Sequence, residues 1–444
     1  MLPVHKATKM HPVDAYEFLH WHSQREIANA AAAANAMVGT EFFAKMCGDM
    51  VNASLAAEDF RRTFMPFVPE MPIHMMKMYS DQVVQMTAQN WSVYLDTVKG
   101  EDQKTIARRL EIWKHVLNTH YPIASSKKEL VHEEGIVKLY RYTRLDNGCE
   151  RKPIPLLLVF AIMNRPAVFD LYPGNSFVEY MALRGYDVYL VDWGTPGQME
   201  KNFTFGTYAL ELLPKLIAKM KQLSDSETFN ILGWCLGALI VSLYASLRPD
   251  EGLKKLMLLT APLDFSDDEQ LTFRKWLRHI DVEKLLDHHD GLMPAHMIEA
   301  GAQMLKPIDN GIRKYLTLWN KLDDPEFVEG WHALDEWVKM NVPIAGGAYR
   351  QLVFELYLGN KLVEGTFRLG NETAHLGNIK ADVFALIAES DHITPPSQIR
   401  RAFPLIGSAK KTLKEFSGGH IGVMAGGAAK DKVWPGLDSW LQAD

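Results

Sequence analysis

Asn230-Ile-Leu-Gly-Trp-Cys-Leu-Gly-Ala-Leu239 is the stretch from which the rest of the chain is read. An apolar run of strand character ends in Gly233-Trp-Cys235-Leu-Gly237, and an apolar helical run follows at once. This is the G-x-C-x-G form of the nucleophile elbow, with sulfur where a serine oxygen is usual. The turn holds its nucleophile in a strained backbone conformation. Side chains two positions to either side would strike neighbouring atoms, so both places call for glycine. The helix that follows aims its N-terminus at the sulfur, which favours a negative charge there and offers amide donors to an oxyanion.

An elbow of this kind needs an acid and a histidine later in the chain, in that order, each just past the C-terminal end of a strand. Phe384-Ala-Leu-Ile-Ala-Glu-Ser-Asp-His-Ile-Thr-Pro-Pro396 puts Asp391 in the first place, and Glu415-Phe-Ser-Gly-Gly-His-Ile-Gly-Val423 puts His420 in the second. His420 would take the proton of Cys235 or hold it as an ion pair, and Asp391 would fix the imidazole tautomer. His392 competes for the role of base, but it directly follows the candidate acid and is poorly placed to be oriented by it. For the oxyanion, one donor is expected from the backbone N–H of Leu236 and a second from the loop around Met163 and Asn164.

Outward from the elbow, short β runs alternate with helical stretches, the mark of a mostly parallel sheet covered by helices. Strands are expected at 136–143, 156–160, 187–192, 228–232, 256–259, 383–388 and 412–416. Helices are expected at 176–184, 208–221, 236–246, 396–403 and 430–441. The rhythm stops between 266 and 365, where about a hundred residues of helical text form a cap or lid inserted into the core. The core is thus divided into 131–265 and 366–444. Residues 1–130 are helical in style, with segments at 28–36, 41–55 and 73–98, and prolines in Met65-Pro-Phe-Val-Pro-Glu-Met-Pro72 separate two of them. All three triad candidates lie after Gly233. The Met75, Met76, Met78 and Met86 cluster therefore suits either association or packing rather than chemistry.

The bulk properties fit a large globular protein: 444 residues, 47% hydrophobic and 23% charged. A formal net charge of -6 and a pI near 6.3 speak against a nucleic-acid surface. Met1-Leu-Pro-Val-His-Lys6 does not read as a secretory signal and no run is long enough to span a bilayer, so an intracellular place is expected. Cys47, Cys149 and Cys235 match neither a zinc pattern nor a disulfide framework. Asp287-His-His-Asp290 could suggest a metal, yet it lies in the inserted stretch and is better read as a solvated helix end. Neither a metal nor a cofactor is expected.

Several motifs in this order resemble the polyhydroxyalkanoate synthases, most closely the short two-subunit type called class III. They are Leu157-Leu-Val-Phe-Ala-Ile-Met-Asn-Arg-Pro166, Phe169-Asp-Leu-Tyr-Pro-Gly-Asn-Ser176, Gly185-Tyr-Asp-Val-Tyr-Leu-Val-Asp-Trp-Gly194, the elbow, Thr260-Ala-Pro-Leu-Asp-Phe265, Asp391-His-Ile-Thr-Pro-Pro396 and Gly418-Gly-His-Ile-Gly-Val423. The likeness runs from about Val131 to the C-terminus. It implies an α/β-hydrolase fold, with Cys235 as the acyl-carrying thiol, His420 as base and Asp391 as its partner. It also implies (R)-3-hydroxyacyl-coenzyme A as substrate, release of coenzyme A, and a growing polyester held in a cytoplasmic granule. Association as a homodimer or with a non-catalytic synthase subunit belongs to the same implication. The chain departs from the pattern in its longer helical front and in Ala238, where a second glycine is often seen. Two rivals remain: hydrolysis by the same triad, as in an intracellular polyester depolymerase or an acyl-CoA thioesterase, and a non-catalytic granule scaffold.

Overall fold

The computed structural model describes residues 103–142, 148–306 and 314–443, which form two compact units. The expected helices at 28–36, 41–55 and 73–98, the methionine cluster and Cys47 lie outside the described residues.

In the smaller unit (described residues 103–120, 279–281 and 300–331), the helix α1, Gln103–Asn118, buries Trp113 and Val116. Three-residue spacing puts these two side chains on one face. Trp113 meets Tyr315 and Trp319, each at 6.0 Å between ring centroids, and Trp319 belongs to the helix Lys314–Asn320. Arg108 and Arg109 both engage Asp323, Arg109 Nη2 donating to Oδ2 at 2.9 Å. Thr119 closes α1 by donating its hydroxyl to His115 O at 2.7 Å.

The larger unit is built on one eight-stranded sheet: β1 Lys128–Glu134, β2 Val137–Tyr142, β3 Leu156–Val159, β4 Val188–Asp192, β5 Phe229–Trp234, β6 Leu253–Leu259, β7 Asp382–Ala388 and β8 Lys411–Phe416. The spatial order is β1-β2-β4-β3-β5-β6-β7-β8. The β1–β2 hairpin is antiparallel and β2 runs antiparallel to β4; every later pairing is parallel. β3 and β5 are buried at every residue, as strands covered on both faces must be, which is why they read as unbroken apolar runs. The sheet is thus the mostly parallel one expected, with all seven expected strands present within a few residues. β1 was not anticipated. Its sequence, Lys-Glu-Leu-Val-His-Glu-Glu, is charged because it lies on the sheet edge with no fully buried residue.

Helices follow the strands at α2 Phe177–Ala182, α3 Leu213–Ser224, α4 Leu236–Leu247, α5 Ser397–Ala402 and α6 Trp434–Gln442. Two expected helices open with π-helical turns, Thr207–Leu212 before α3 and Ala429–Val433 before α6. Ser176 caps α2, accepting the Glu179 N–H at 3.1 Å. α4 is buried along its whole length except at its last residue, so it crosses the core rather than covering it. The stretch 266–365 is mostly helical where described; it also carries a two-residue pairing of Leu292–Met293 with Ile344–Ala345 and an isolated bridge from Asn341 to Asn164.

Candidate active site

β5 is the central strand, and its C-terminal end delivers Cys235 to the edge of the sheet where ligands bind in folds of this kind. Cys235 has φ 57° and ψ −129°, a conformation costly for any residue with a Cβ. The two glycines make it attainable. A Cβ on Gly233 would stand 2.5 Å from Val241 Cγ2 and 2.7 Å from Ala238 Cα, and one on Gly237 would stand 2.2 Å from Val159 O. The elbow can therefore pack against α4 and the end of β3 only with glycine at both places. Cys235 N is tied to Leu259 O at 3.1 Å, which fixes the turn to the neighbouring strand. Cys235 is only 6% exposed.

Asp391 lies three residues past β7 and His420 four past β8. His420 Nδ1 is 2.7 Å from Asp391 Oδ2, with both side chains buried. Asp391 closes its own turn: Oδ1 accepts the N–H groups of Ile393 at 2.8 Å and Thr394 at 2.9 Å, and Oδ2 accepts the Thr394 hydroxyl at 2.8 Å. Burial disfavours the charge on Asp391, but His420 and the bonds from Thr394 outweigh it and hold the carboxyl below its usual value. Burial also disfavours a charged His420, yet the charges of Asp391 and Cys235, with hydrogen bonds to both, push its pKa up to about 10. With Nδ1 committed to Asp391, Nε2 is the nitrogen left for the sulfur. The structure thus brings Cys235, His420 and Asp391 together, and His420 rather than His392 is the histidine bonded to the acid.

Leu236 is the first residue of α4, and N–H groups in that turn have no acceptor within the helix. The loop after β3 is drawn toward the inserted stretch. Met163 O accepts the Val342 N–H at 2.9 Å, Asn164 Nδ2 donates to Asn341 Oδ1 at 3.0 Å, and Trp337 Nε1 donates to Arg165 O at 2.9 Å. Arg165 is held in turn by Asp192 Oδ1 at 2.9 Å. Against Gly237 itself stand the carbonyls of Val159, at the end of β3, and of Phe160, the first residue of the loop.

Three further residues belong to the site and escaped the sequence. Trp234 lies 6.0 Å from the His420 ring and packs on Phe160, Phe169 and Trp337, walling the centre with aromatic carbon. Tyr357, in the π-helical turn Gln351–Leu358, is buried with its ring 4.7 Å from Phe265. Burial raises its pKa and the charges of Cys235, Tyr349 and Asp391 add to the effect, which places its hydroxyl in electrostatic reach of the nucleophile. Thr394 is the third; its spacing from Asp391 suits a turn closed by the aspartate, but nothing in that spacing points to its contact with the histidine. At the Asp287–Asp290 cluster the His288 and His289 rings meet edge to face at 4.9 Å. His289 is depressed in pKa by burial and by its histidine neighbours. Among the described residues no group of three or more His, Cys, Asp or Glu could hold a metal ion, and no helix is long and apolar enough to cross a membrane.

Residues 165–426 match the family described as the alpha/beta hydrolase fold. The chain is 31% identical over 316 residues to the Poly(3-hydroxyalkanoate) polymerase subunit PhaC of Thiocystis violacea, covering 71% of this chain and 88% of that one. It is 30% identical over 316 residues to the protein of the same name from Allochromatium vinosum, with the same coverage. The chain belongs to the PhaC polymerase family. A third relative so named, from Synechocystis, is 30% identical over 72% of this chain and 85% of its own. Membership in the PhaC family makes this chain a transferase built on the α/β-hydrolase fold.

Proposed function

We propose that this chain polymerises (R)-3-hydroxyacyl-coenzyme A into polyester through an acyl-Cys235 intermediate, with His420 as general acid and base and Asp391 as its orienting partner. The observation that carries the proposal is the buried His420–Asp391 pair set against a cysteine in the strained elbow. PhaC membership supports the substrate class, and the likeness to the shorter relatives supports the class III assignment and a second, non-catalytic subunit.

The Cys235 sulfur attacks the thioester carbonyl, and the oxyanion is met by Leu236 N–H with a second donor from the loop around Met163 and Asn164. Attack consumes the negative charge of the sulfur, which is part of what holds the proton on His420. The imidazolium then releases that proton to the departing coenzyme A thiolate, and the carbon–sulfur bond to coenzyme A breaks. His420 is now neutral and removes the proton from the hydroxyl of another hydroxyacyl unit. The alkoxide attacks the acyl-cysteine, an oxoester forms, and the proton returns to Cys235. Exchange of thioester for thioester costs little, while thioester to oxoester runs downhill and drives growth. Aromatic walls at the centre keep water from competing.

Purified protein with (R)-3-hydroxybutyryl-CoA tests the reading when thiol release and product solubility are followed together. Coenzyme A release with insoluble polymer is expected. Release with free acid would make the chain a hydrolase, and absence of any acyl-Cys235 adduct would leave a scaffold. Growth of the polymer around the enzyme would place it on a cytoplasmic granule.

A further inference from the structure

Asp391 and His420 are not alone in their pocket. Thr394 Oγ1 lies 2.8 Å from Asp391 Oδ2 and 3.0 Å from His420 Nδ1, and those two atoms are 2.7 Å apart. The three polar atoms close a triangle in which all three residues are buried. A valine would fill the same space and lose both contacts, so packing does not require the hydroxyl. Asp391 Oδ1 does not require it either, since the N–H groups of Ile393 and Thr394 already serve that oxygen. The hydroxyl acts on the one carboxylate oxygen that faces the imidazole.

We propose that Thr394 is a positioning residue, whose hydroxyl pins the Nδ1 edge of His420 against Asp391 and so keeps Nε2 turned toward the Cys235 sulfur. The proposal rests on the triad roles given under the proposed function. While the imidazole is charged, attraction to Asp391 is enough to hold the ring. After the proton has gone to the leaving group that attraction falls, and the hydroxyl contact remains. Thr394 therefore matters most to the step in which neutral His420 acts as base. The hydroxyl also shares the charge of Oδ2. With valine in its place that charge falls on the Nδ1–H alone, and the protonated imidazole is favoured. The other titratable groups concerned are Cys235, hydrogen-bonded to the ring, and Tyr357 of the inserted stretch, whose own titration is raised by the charges of Cys235 and Asp391.

The test compares Thr394→Val and Thr394→Ser in the full chain. NMR of protein labelled with 15N-histidine follows the titration of His420, its signal identified by loss in His420→Gln. In Thr394→Val the midpoint moves to higher pH, and in Thr394→Ser it returns to the wild-type value. With (R)-3-hydroxybutyryl-CoA, the elongation step of the valine variant slows about five- to tenfold, the worth of one buried hydrogen bond, and by more than rapid-quench acylation of Cys235 does. An unmoved or lowered midpoint, a serine variant that behaves like valine, or equal loss in both steps would overturn the proposal. Thr394→Ala carries the same comparison if the valine variant does not fold. The titration needs no substrate, so it decides the role of Thr394 even if the chain proves not to polymerise.

Discussion

The roles proposed for Cys235, His420 and Asp391 can be tested one side chain at a time. Cys235→Ala should leave the fold intact and abolish the acyl adduct, checked by mass spectrometry of the intact chain after substrate addition. Cys149→Ala should change nothing, since Cys149 is exposed and outside the site. Asp391→Asn keeps the shape but offers the wrong partner to Nδ1, and coenzyme A release should fall by orders of magnitude. His392→Ala should be mild; if it proves more damaging than His420→Ala, the assignment of the base is wrong. The pair also makes stability depend on pH. Asp391 is depressed from 3.8, so its contribution is present above that value and is lost as pH falls further. His420 is raised from 6.5 to about 10, so its contribution is full below 6.5 and is lost as pH rises toward 10. Melting temperatures of wild type and Asp391→Asn should therefore differ most near pH 5–6, within that window, and converge toward pH 10. The placement of the three candidates was legible because each stands just past the end of a strand, where sequence spacing is informative. Thr394 and Tyr357 were not, because their roles depend on side-chain direction and on how a distant inserted segment packs.

At the scale of the element, the elbow is a contact between two pieces of backbone that glycine alone permits. Gly237→Ala would drive a Cβ into the Val159 carbonyl, and Gly233→Ala would drive one into Val241 and Ala238. Backbone cannot swing aside as a flexible side chain can, so each change should cost at least the roughly 1–3 kcal/mol typical of overpacking. Gly237→Ala should be the worse, as urea denaturation would read out. The central strands were legible for the same reason that they are rigid: burial on both faces forces an apolar run. β1 was not, since an edge strand is stabilised by its partner's backbone and can carry Lys128, Glu129, Glu133 and Glu134. The π-helical openings before α3 and α6 left no sign in the apolar spacing, which fits an ordinary helix nearly as well.

Across the molecule the two units carry different burdens. Trp113→Ala empties the contact with Tyr315 and Trp319 in the helical unit and should cost that unit about 3–5 kcal/mol. Alkylation of Cys235 by iodoacetamide should continue at the wild-type rate, since every atom of the triangle around His420 belongs to the other unit. Both readings come from one sample, by denaturation and by peptide mass spectrometry. The aromatic wall has a different kind of consequence. The chain contains 11 tryptophans, but it is Trp234 whose indole lies against the His420 imidazole, its Nε1 buried without a hydrogen-bond partner. An imidazolium at such range quenches indole emission and a neutral imidazole does not. The chain thus has a built-in optical gauge of His420: fluorescence should brighten as pH rises through about 10, and Trp234→Phe should remove that component.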